Sequence, residues 1–276
     1  MDKSAKAFVI GHPISHSRSP MIHGHWLHNH KLSGSYEKLD VAPDALPAFV
    51  QQLRDENWRG CNVTIPHKQA VMQLVDDVST EAIKIGAANT LWLKDGRLKA
   101  TNTDAYGFAA NMDDYAPNWR NARTCLIIGA GGASRAIVHA CKEAGIGSIT
   151  IVNRTAQKAQ ELARDFGVNA GVPDTALADL SPYQLIINTS SAGMGDVPPL
   201  PIRFETAPSN AIAADIVYAP LNTQFLLSAK GNGLQTVDGL GMLLHQAAPG
   251  FEKWFGVRPT VDAGLRQLIL DDLGEA

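Results

Sequence analysis

Thr124-Cys125-Leu126-Ile127-Ile128 runs straight into Gly129-Ala130-Gly131-Gly132-Ala133-Ser134. The first five residues, apolar or β-branched, read as a buried strand, and helical text follows from Ser134 to Ala144. In that setting the first glycine permits a tight turn, and the second lets backbone amides approach a pyrophosphate. The small residue in the last slot lets the helix sit close to the sheet. Glycine-rich turns also join strands to helices for packing reasons alone, so the hexapeptide by itself is weak evidence. Its place between a strand and a helix makes it a dinucleotide fingerprint, with Gly129, Ala130, Gly131, Gly132 and Ala133 as the expected cradle.

The next strand, Ser148 to Val152, ends in Asn153-Arg154-Thr155. A site for NAD usually carries Asp or Glu there, to bind the ribose 2′-hydroxyl. Here Asn153 is neutral, Arg154 offers a planar cation suited to a 2′-phosphate, and Lys158 follows. The competing reading is a solvated arginine at a helix start, with Thr155 as N-cap. Loss of the acid together with gain of cations favours NADP over NAD.

Outward from this unit the text stays mostly β-α-β-α, which points to an α/β layer architecture. Toward the N-terminus, Lys6 to Ile10, Tyr36 to Val41 and Cys61 to Ile65 read as strands. Helices are expected from Ser19-Pro20 (Ser as N-cap), over Asp44 to Asp55, and over His67 to Val75. Leu91 to Leu93 and Arg97 to Lys99 flank Lys94-Asp95-Gly96, a hairpin turn. Polar Asp113 to Asn121 looks like a linker edge. Beyond the glycine loop, strands are expected at Leu185 to Asn188 and Ala211 to Val217. Gly239 to Phe255 and Val261 to Leu273 are expected helices that pack back across the domain junction.

The chain has 276 residues, 45% hydrophobic and 18% charged, which suits a globular protein of two ordinary domains or one large one. Its formal net charge of −3 gives no ground for nucleic-acid or anionic-membrane partners. The three cysteines (Cys61, Cys125, Cys141) lack metal spacing and read as reduced thiols. MDKSAKAFVIGHP holds too short an apolar run for a signal peptide, and no stretch approaches membrane-spanning length, so a cytoplasmic protein is expected. His23, His25, His28 and His30 do not align on one helical face for a tidy metal site. A solvated or half-packed helix face is the better reading, and no metal is expected. Met242-Leu243-Leu244 and Trp254-Phe255 read as core.

Polar residues collect where strands end. Ser15-His16-Ser17-Arg18-Ser19 lies between a strand and a helix, Lys68 follows the corner at Pro66, and Asn89-Thr90 and Asn102-Thr103-Asp104 flank the hairpin. Such short donors and acceptors suit a ring acid bearing several hydroxyls, and a lysine can carry the proton that a carbinol oxidation releases. Taken singly, each has a plainer reading: Ser19 a helix cap, Lys68 a surface charge, Asn89 or Asp104 a turn-former.

Together they form a pattern. Gly11-His12-Pro13-Ile14-Ser15-His16-Ser17-Arg18-Ser19-Pro20, Asn62-Val63-Thr64-Ile65-Pro66-His67-Lys68, Gly86-Ala87-Ala88-Asn89-Thr90 and Asn102-Thr103-Asp104-Ala105-Tyr106-Gly107 resemble the shikimate dehydrogenase family. The likeness continues through the glycine loop, Asn153-Arg154-Thr155, Asp215-Ile216-Val217-Tyr218-Ala219-Pro220 and Gly239-Leu240-Gly241-Met242-Leu243-Leu244-His245-Gln246-Ala247. The resemblance implies an N-terminal α/β substrate domain (residues 1–104 and 240–276) and a Rossmann NADP-binding domain (residues 105–239). A cleft lies between them, and the last helices return to the first domain. It implies Lys68 and Asp104 as the catalytic pair. Ser17 and Ser19 would hold a substrate carboxylate, with Tyr218, while Thr64, Asn89 and Gln246 would bind ring hydroxyls. Gly239 joins the cofactor set.

The implied reaction is reduction of 3-dehydroshikimate to shikimate with NADP(H), by a monomer or homodimer. Rival readings are a quinate/shikimate dehydrogenase using NAD, a catalytically silent ligand-sensing relative, and a methyltransferase. Ser19 and Arg154 argue against the first, and the intact Lys68 and Asp104 against the second. The last leaves Arg154 and the first domain's polar set unexplained. Three positions depart from the family pattern: His67 stands for an aromatic such as Phe, Asn188-Thr189-Ser190-Ser191-Ala192-Gly193-Met194 for an Asn-Ala-Thr order, and Lys158 for a second arginine. Lysine keeps the charge at that last position but loses the bidentate fork.

Overall fold

Alternating strands and helices place parallel strands side by side, and the chain does so twice. The computed structural model describes residues 5–56, 58–193 and 197–275. The chain divides into two compact units, one of residues up to Asp104 with Leu244–Gly274, the other Ala105–Leu243.

The first unit contains β1 (Ala5–Gly11), α1 (Ser19–Asn29), β2 (Gly34–Asp40), α2 (Leu46–Asp55), β3 (Gly60–Val63), β4 (Asp77–Val78), α3 (Thr80–Ile85), β5 (Thr90–Lys94) and β6 (Arg97–Thr101). Its sheet runs β2-β1-β3-β5-β6-β4, with β1 parallel to β2 and β3 and with β5 antiparallel to β3 and β6. Asp95 and Gly96 both have positive φ, 54° and 72°, the twist a two-residue hairpin loop requires. Phe8, Ile10, Phe49, Leu53, Val63, Leu91 and Leu98 pack into one buried cluster against this sheet.

Between the sheets comes α4 (Asp104–Tyr115). The second sheet is built from β7 (Thr124–Ile128), β8 (Ser148–Val152), β9 (Asn169–Ala170), β10 (Leu185–Asn188), β11 (Ile212–Asp215) and β12 (Gln235–Val237). The intervening helices are α5 (Gly132–Glu143), α6 (Ala156–Phe166), α7 (Pro173–Ala178) and α8 (Gln224–Gly231). All pairings are parallel in the order β9-β8-β7-β10-β11-β12, the doubly wound Rossmann order with its reversal between β7 and β10. Two helices close the chain, α9 (Leu240–Phe255) and α10 (Ala263–Leu273). From Leu244 onward they belong to the first unit, where the Trp254 indole donates to Leu91 O at 2.8 Å.

Four sequence expectations are corrected. His67 to Val75 forms only a short 3-10 turn at Ala70–Gln73, because the Lys68 carbonyl accepts from Ala88 N (2.8 Å) instead of from the next helical turn. Ser19 is the first helical residue rather than the cap; its amide donates to Ser17 Oγ at 3.3 Å. Asp113 to Asn121 is no linker edge. Trp119 there is fully buried, packs edge-on against Phe108, and donates to Asp113 Oδ1 at 2.7 Å.

The fourth correction concerns His23, which is fully buried rather than half-packed. Its ring stacks on Tyr36 at 3.9 Å, and neither ring nitrogen has a hydrogen-bond partner. Burial lowers its pKa from 6.5 to about 3, against a smaller opposing pull from the Asn62 side chain.

Gly129 has φ +122°, and a Cβ there would lie 2.5 Å from Thr189 Oγ1, whereas a Cβ on Gly132 meets nothing within 4 Å. Gly129→Ala should therefore destabilise the protein by about 1–3 kcal/mol, while Gly132→Ala leaves the melting temperature unchanged or raises it. The His23 ring generates a pH prediction. Below about pH 6.5 the unfolded chain takes up a proton that the folded chain refuses until about pH 3, so stability falls as pH falls through that window. Urea unfolding across that window should lose up to about 1.4 kcal/mol per pH unit from this ring, a component absent in His23→Phe.

Candidate active site

Strand β3 ends at Val63, and the chain then turns through Pro66 to bring His67 and Lys68 into place. His67, 1% exposed, is fixed by a 2.7 Å hydrogen bond between its Nε2 and Val41 O. Lys68 Nζ donates to Asp104 Oδ2 at 2.5 Å, with the two side chains only 16% and 8% exposed. Asp104 opens α4, where a negative charge complements the helix dipole, and its amide donates to Asn102 Oδ1 at 2.9 Å. Asn102 in turn donates to Ala87 O at 3.0 Å. Among the described residues the Lys68 ammonium has no second partner, so two of its three donors are free for a ligand.

The other Asp104 oxygen accepts from Asn89 Nδ2 at 2.8 Å. Asn89 is 2% exposed, and its orientation is over-determined. Its Oδ1 accepts from the Thr103 amide and from Thr90 Oγ1, both at 2.9 Å, while its Nδ2 also reaches Gln246 Oε1 at 3.4 Å. The Thr103 hydroxyl donates to Gln246 O at 2.8 Å, which ties α9 to the same cluster. Lys68, Asp104, Asn89 and Gln246 thus come together. Thr103 belongs with them although no role was assigned to it from sequence. The available signal was a run of small polar residues where a strand meets a helix.

Ser17 and Ser19 lie in the loop and first turn after β1, the former half-buried and the latter 7% exposed. Thr64 sits just past β3 with its methyl against Gly11, where a Cβ would come within 2.5 Å of Thr64 Cγ2. Its hydroxyl has no partner among the described residues. Tyr218 falls in the second unit, half-buried just past β11, and its hydroxyl likewise makes no hydrogen bond among the described residues.

In the second unit the expected cofactor residues stand at the carboxyl ends of the strands, where ligands bind in open α/β sheets. Gly129 to Ala133 follow β7, Asn153 to Thr155 follow β8, and Gly239 follows β12. The Gly131 amide donates to Ser134 Oγ at 3.0 Å, and Ser134 Oγ lies 2.7 Å from Thr189 Oγ1, which donates to Ile128 O at 3.0 Å. Ser134 and Thr189 thus brace the loop, a role missed from sequence. Asn153 Nδ2 caps Thr155 O at 3.0 Å. Arg154 and Lys158 are exposed and make no side-chain hydrogen bond or ion pair among the described residues. Open space at Gly131 and Gly132, next to a helix N-terminus and with two uncommitted cations after the neighbouring strand, fits a phosphorylated dinucleotide.

Gly239 packs tightly, since a Cβ there would lie 2.3 Å from Ile216 O. Nearby Asp215, 2% exposed, accepts from Asn188 Nδ2 (3.1 Å), Val217 N (2.9 Å) and Thr223 Oγ1 (2.8 Å). Desolvation raises its pKa against those three hydrogen bonds. Met194 lies outside the described residues. Among the described residues no cluster of three His, Cys, Asp or Glu could hold a metal ion, and no helix is long and apolar enough to cross a membrane.

Three family models match the chain in order. The shikimate dehydrogenase substrate binding domain covers residues 9–91, shikimate / quinate 5-dehydrogenase covers 114–192, and the shikimate 5'-dehydrogenase C-terminal domain covers 239–269. The shikimate dehydrogenase (NADP(+)) of Mesorhizobium japonicum is 51% identical over 275 residues, spanning 99% of this chain and 98% of its own. That of Sinorhizobium fredii is 52% identical over 272 residues, spanning 97% and 95%. Among solved structures, the Thermus thermophilus shikimate 5-dehydrogenase in complex with NADP(H) and shikimate has a TM-score of 0.86 at 38% identity, covering 96% of this chain and 98% of that one. A Corynebacterium glutamicum quinate dehydrogenase in complex with NAD has a TM-score of 0.90 at 26% identity, covering 97% and 99%. With half of its residues shared across nearly its whole length, this chain belongs to the shikimate dehydrogenase family.

Proposed function

We propose that this chain interconverts 3-dehydroshikimate and shikimate with NADP(H), with Lys68 and Asp104 as its acid–base pair. The observation that carries the reading is the shielded 2.5 Å contact between Lys68 and Asp104, set among amides and hydroxyls that suit a polyhydroxylated ring. NADP⁺ held by the glycine loop would supply the acceptor for the hydride leaving the carbinol carbon. The hydroxyl proton is exchanged with Lys68 Nζ, taken up during oxidation and returned during reduction. Asp104, held through Asn89 and Asn102, orients the lysine and accepts a hydrogen bond from the same hydroxyl.

Ser17 and Ser19, with Tyr218, hold the substrate carboxylate, and Thr64, Asn89 and Gln246 take ring hydroxyls. The unit built on residues 1–104 and 240–276 is then the substrate-binding one, and residues 105–239 carry NADP. Gly129, Ala130, Gly131, Gly132 and Ala133 line the pyrophosphate, while Gly239 offers backbone on the nicotinamide side. Asn153, Arg154, Thr155 and Lys158 form the 2′-phosphate pocket; a neutral Asn153 removes the repulsion a carboxylate would exert there. Three free, buried cysteines suit a reducing cytoplasm, in which the enzyme acts as a monomer or homodimer.

The test is a matrix of shikimate and quinate against NADP⁺ and NAD⁺, followed by the appearance of reduced cofactor. Turnover confined to shikimate with NADP⁺ is expected. A preference for quinate or NAD⁺ would move the chain to the rival dehydrogenase activity. Absence of turnover with every pair would leave a silent relative. Lys68→Gln should lower kcat by about 10²–10⁴-fold, the usual worth of acid–base catalysis. Arg154→Ala should raise KM for NADP⁺ by about 10–100-fold and leave that for NAD⁺ nearly unchanged, because only the former carries the 2′-phosphate.

A further inference from the structure

Tyr36, on β2, is 7% exposed, and its hydroxyl makes no direct hydrogen bond to Lys68 or Asp104 among the described residues. Its hydroxyl donates to Asn62 Oδ1 at 2.6 Å. Asn62, 6% exposed on β3, passes the connection on. Its Nδ2 donates to Asn89 O at 3.1 Å and to Thr90 Oγ1 at 3.3 Å. Thr90 Oγ1 then donates to Asn89 Oδ1 at 2.9 Å. One buried path therefore runs from the Tyr36 phenol, through Asn62, to the amide that faces Asp104 and Gln246.

The phenol ring has little freedom to move. The neutral His23 ring stacks on it at 3.9 Å and 17°, and Trp254 lies 5.7 Å away on another side. The pi-stack aims the hydroxyl at Asn62; the acceptor-only Asn89 carbonyl sets which way the Asn62 amide faces, and Tyr36 supplies the donor that its Oδ1 then requires. With the amide reversed, its oxygen would meet Asn89 O, an acceptor against an acceptor, at a site water does not reach.

We infer that Tyr36 is a positioning residue for substrate, which acts through Asn62 to hold Asn89 in its orientation toward the site. The inference rests on the shikimate dehydrogenase reading above. Its reach is the substrate side alone, because each link of the path lies in the first unit.

Tyr36→Phe keeps the stack and deletes the donor. In steady-state assays with the full chain, KM for shikimate should rise about three- to thirtyfold, the range expected for a buried acceptor left unpaired. KM for NADP⁺ and NADPH affinity by fluorescence should stay within about twofold, and kcat should change less than KM. A merely structural role would instead lower the melting temperature and the active fraction, which reduces kcat and leaves KM for shikimate alone. That pattern would overturn the inference with the function intact. Wild-type enzyme without shikimate turnover would overturn the functional reading and this inference together. Should Tyr36→Phe fail to fold, NMR of tyrosine-labelled wild-type protein decides. The Tyr36 hydroxyl proton should shift when shikimate is added and stay put with NADP⁺; no shift with shikimate rules the inference out.

Discussion

A lysine and an aspartate held 2.5 Å apart and largely out of water impose a condition on everything around them. Each charge loses hydration on burial, and the pair is tolerable only if the remaining polar atoms find partners. Asp104 meets the condition through Asn89 on one oxygen and Lys68 on the other, with its own amide held by Asn102. Those partners are themselves buried and must be satisfied. The polar network therefore spreads outward to Thr90, Thr103, Gln246, Asn62 and Tyr36. The first sheet supplies Tyr36 on β2, Asn62 on β3, Thr90 on β5 and Thr103 just past β6, and α9 supplies Gln246. Within this network, among the described residues, Lys68 keeps two uncommitted donors.

The second unit solves a different problem. An all-parallel sheet in Rossmann order gathers the carboxyl ends of β7, β8, β10, β11 and β12 along one edge. The glycine loop must turn sharply there, and Thr189 occupies the space a side chain on Gly129 would need. Ser134 and Thr189 then lock the loop by their hydroxyls, and Asp215 gathers β10, β11 and Thr223 by three hydrogen bonds. Exposed Arg154 and Lys158 follow β8 at the same edge of the sheet.

Much of this was legible in the sequence wherever the signal is local. The apolar run before Gly129, the Asp95-Gly96 turn and the order of polar motifs each depend on a few adjacent residues. Failures occurred where a distant partner decides. The helix expected at His67 to Val75 is pre-empted by Ala88, which takes the Lys68 carbonyl, and Trp119 is buried because Phe108 and Asp113 receive it. His23 is buried because Tyr36, on the neighbouring strand, stacks on it. The site followed the same rule. Residue types and order pointed to Lys68, Asp104 and Asn89, but the roles of Thr103, Asn62 and Tyr36 depend on bonds between residues up to 143 positions apart. Nothing in a local pattern encodes those.

If Lys68 and Asp104 act as one device, as proposed, a double-mutant cycle will show it. Lys68→Gln, Asp104→Asn and the double variant would be compared in kcat with shikimate and NADP⁺. Groups that work as a unit are strongly non-additive, so the double variant should be about as slow as the Lys68→Gln variant alone. Losses that multiply across the two sites would show two independent contributions and contradict the account.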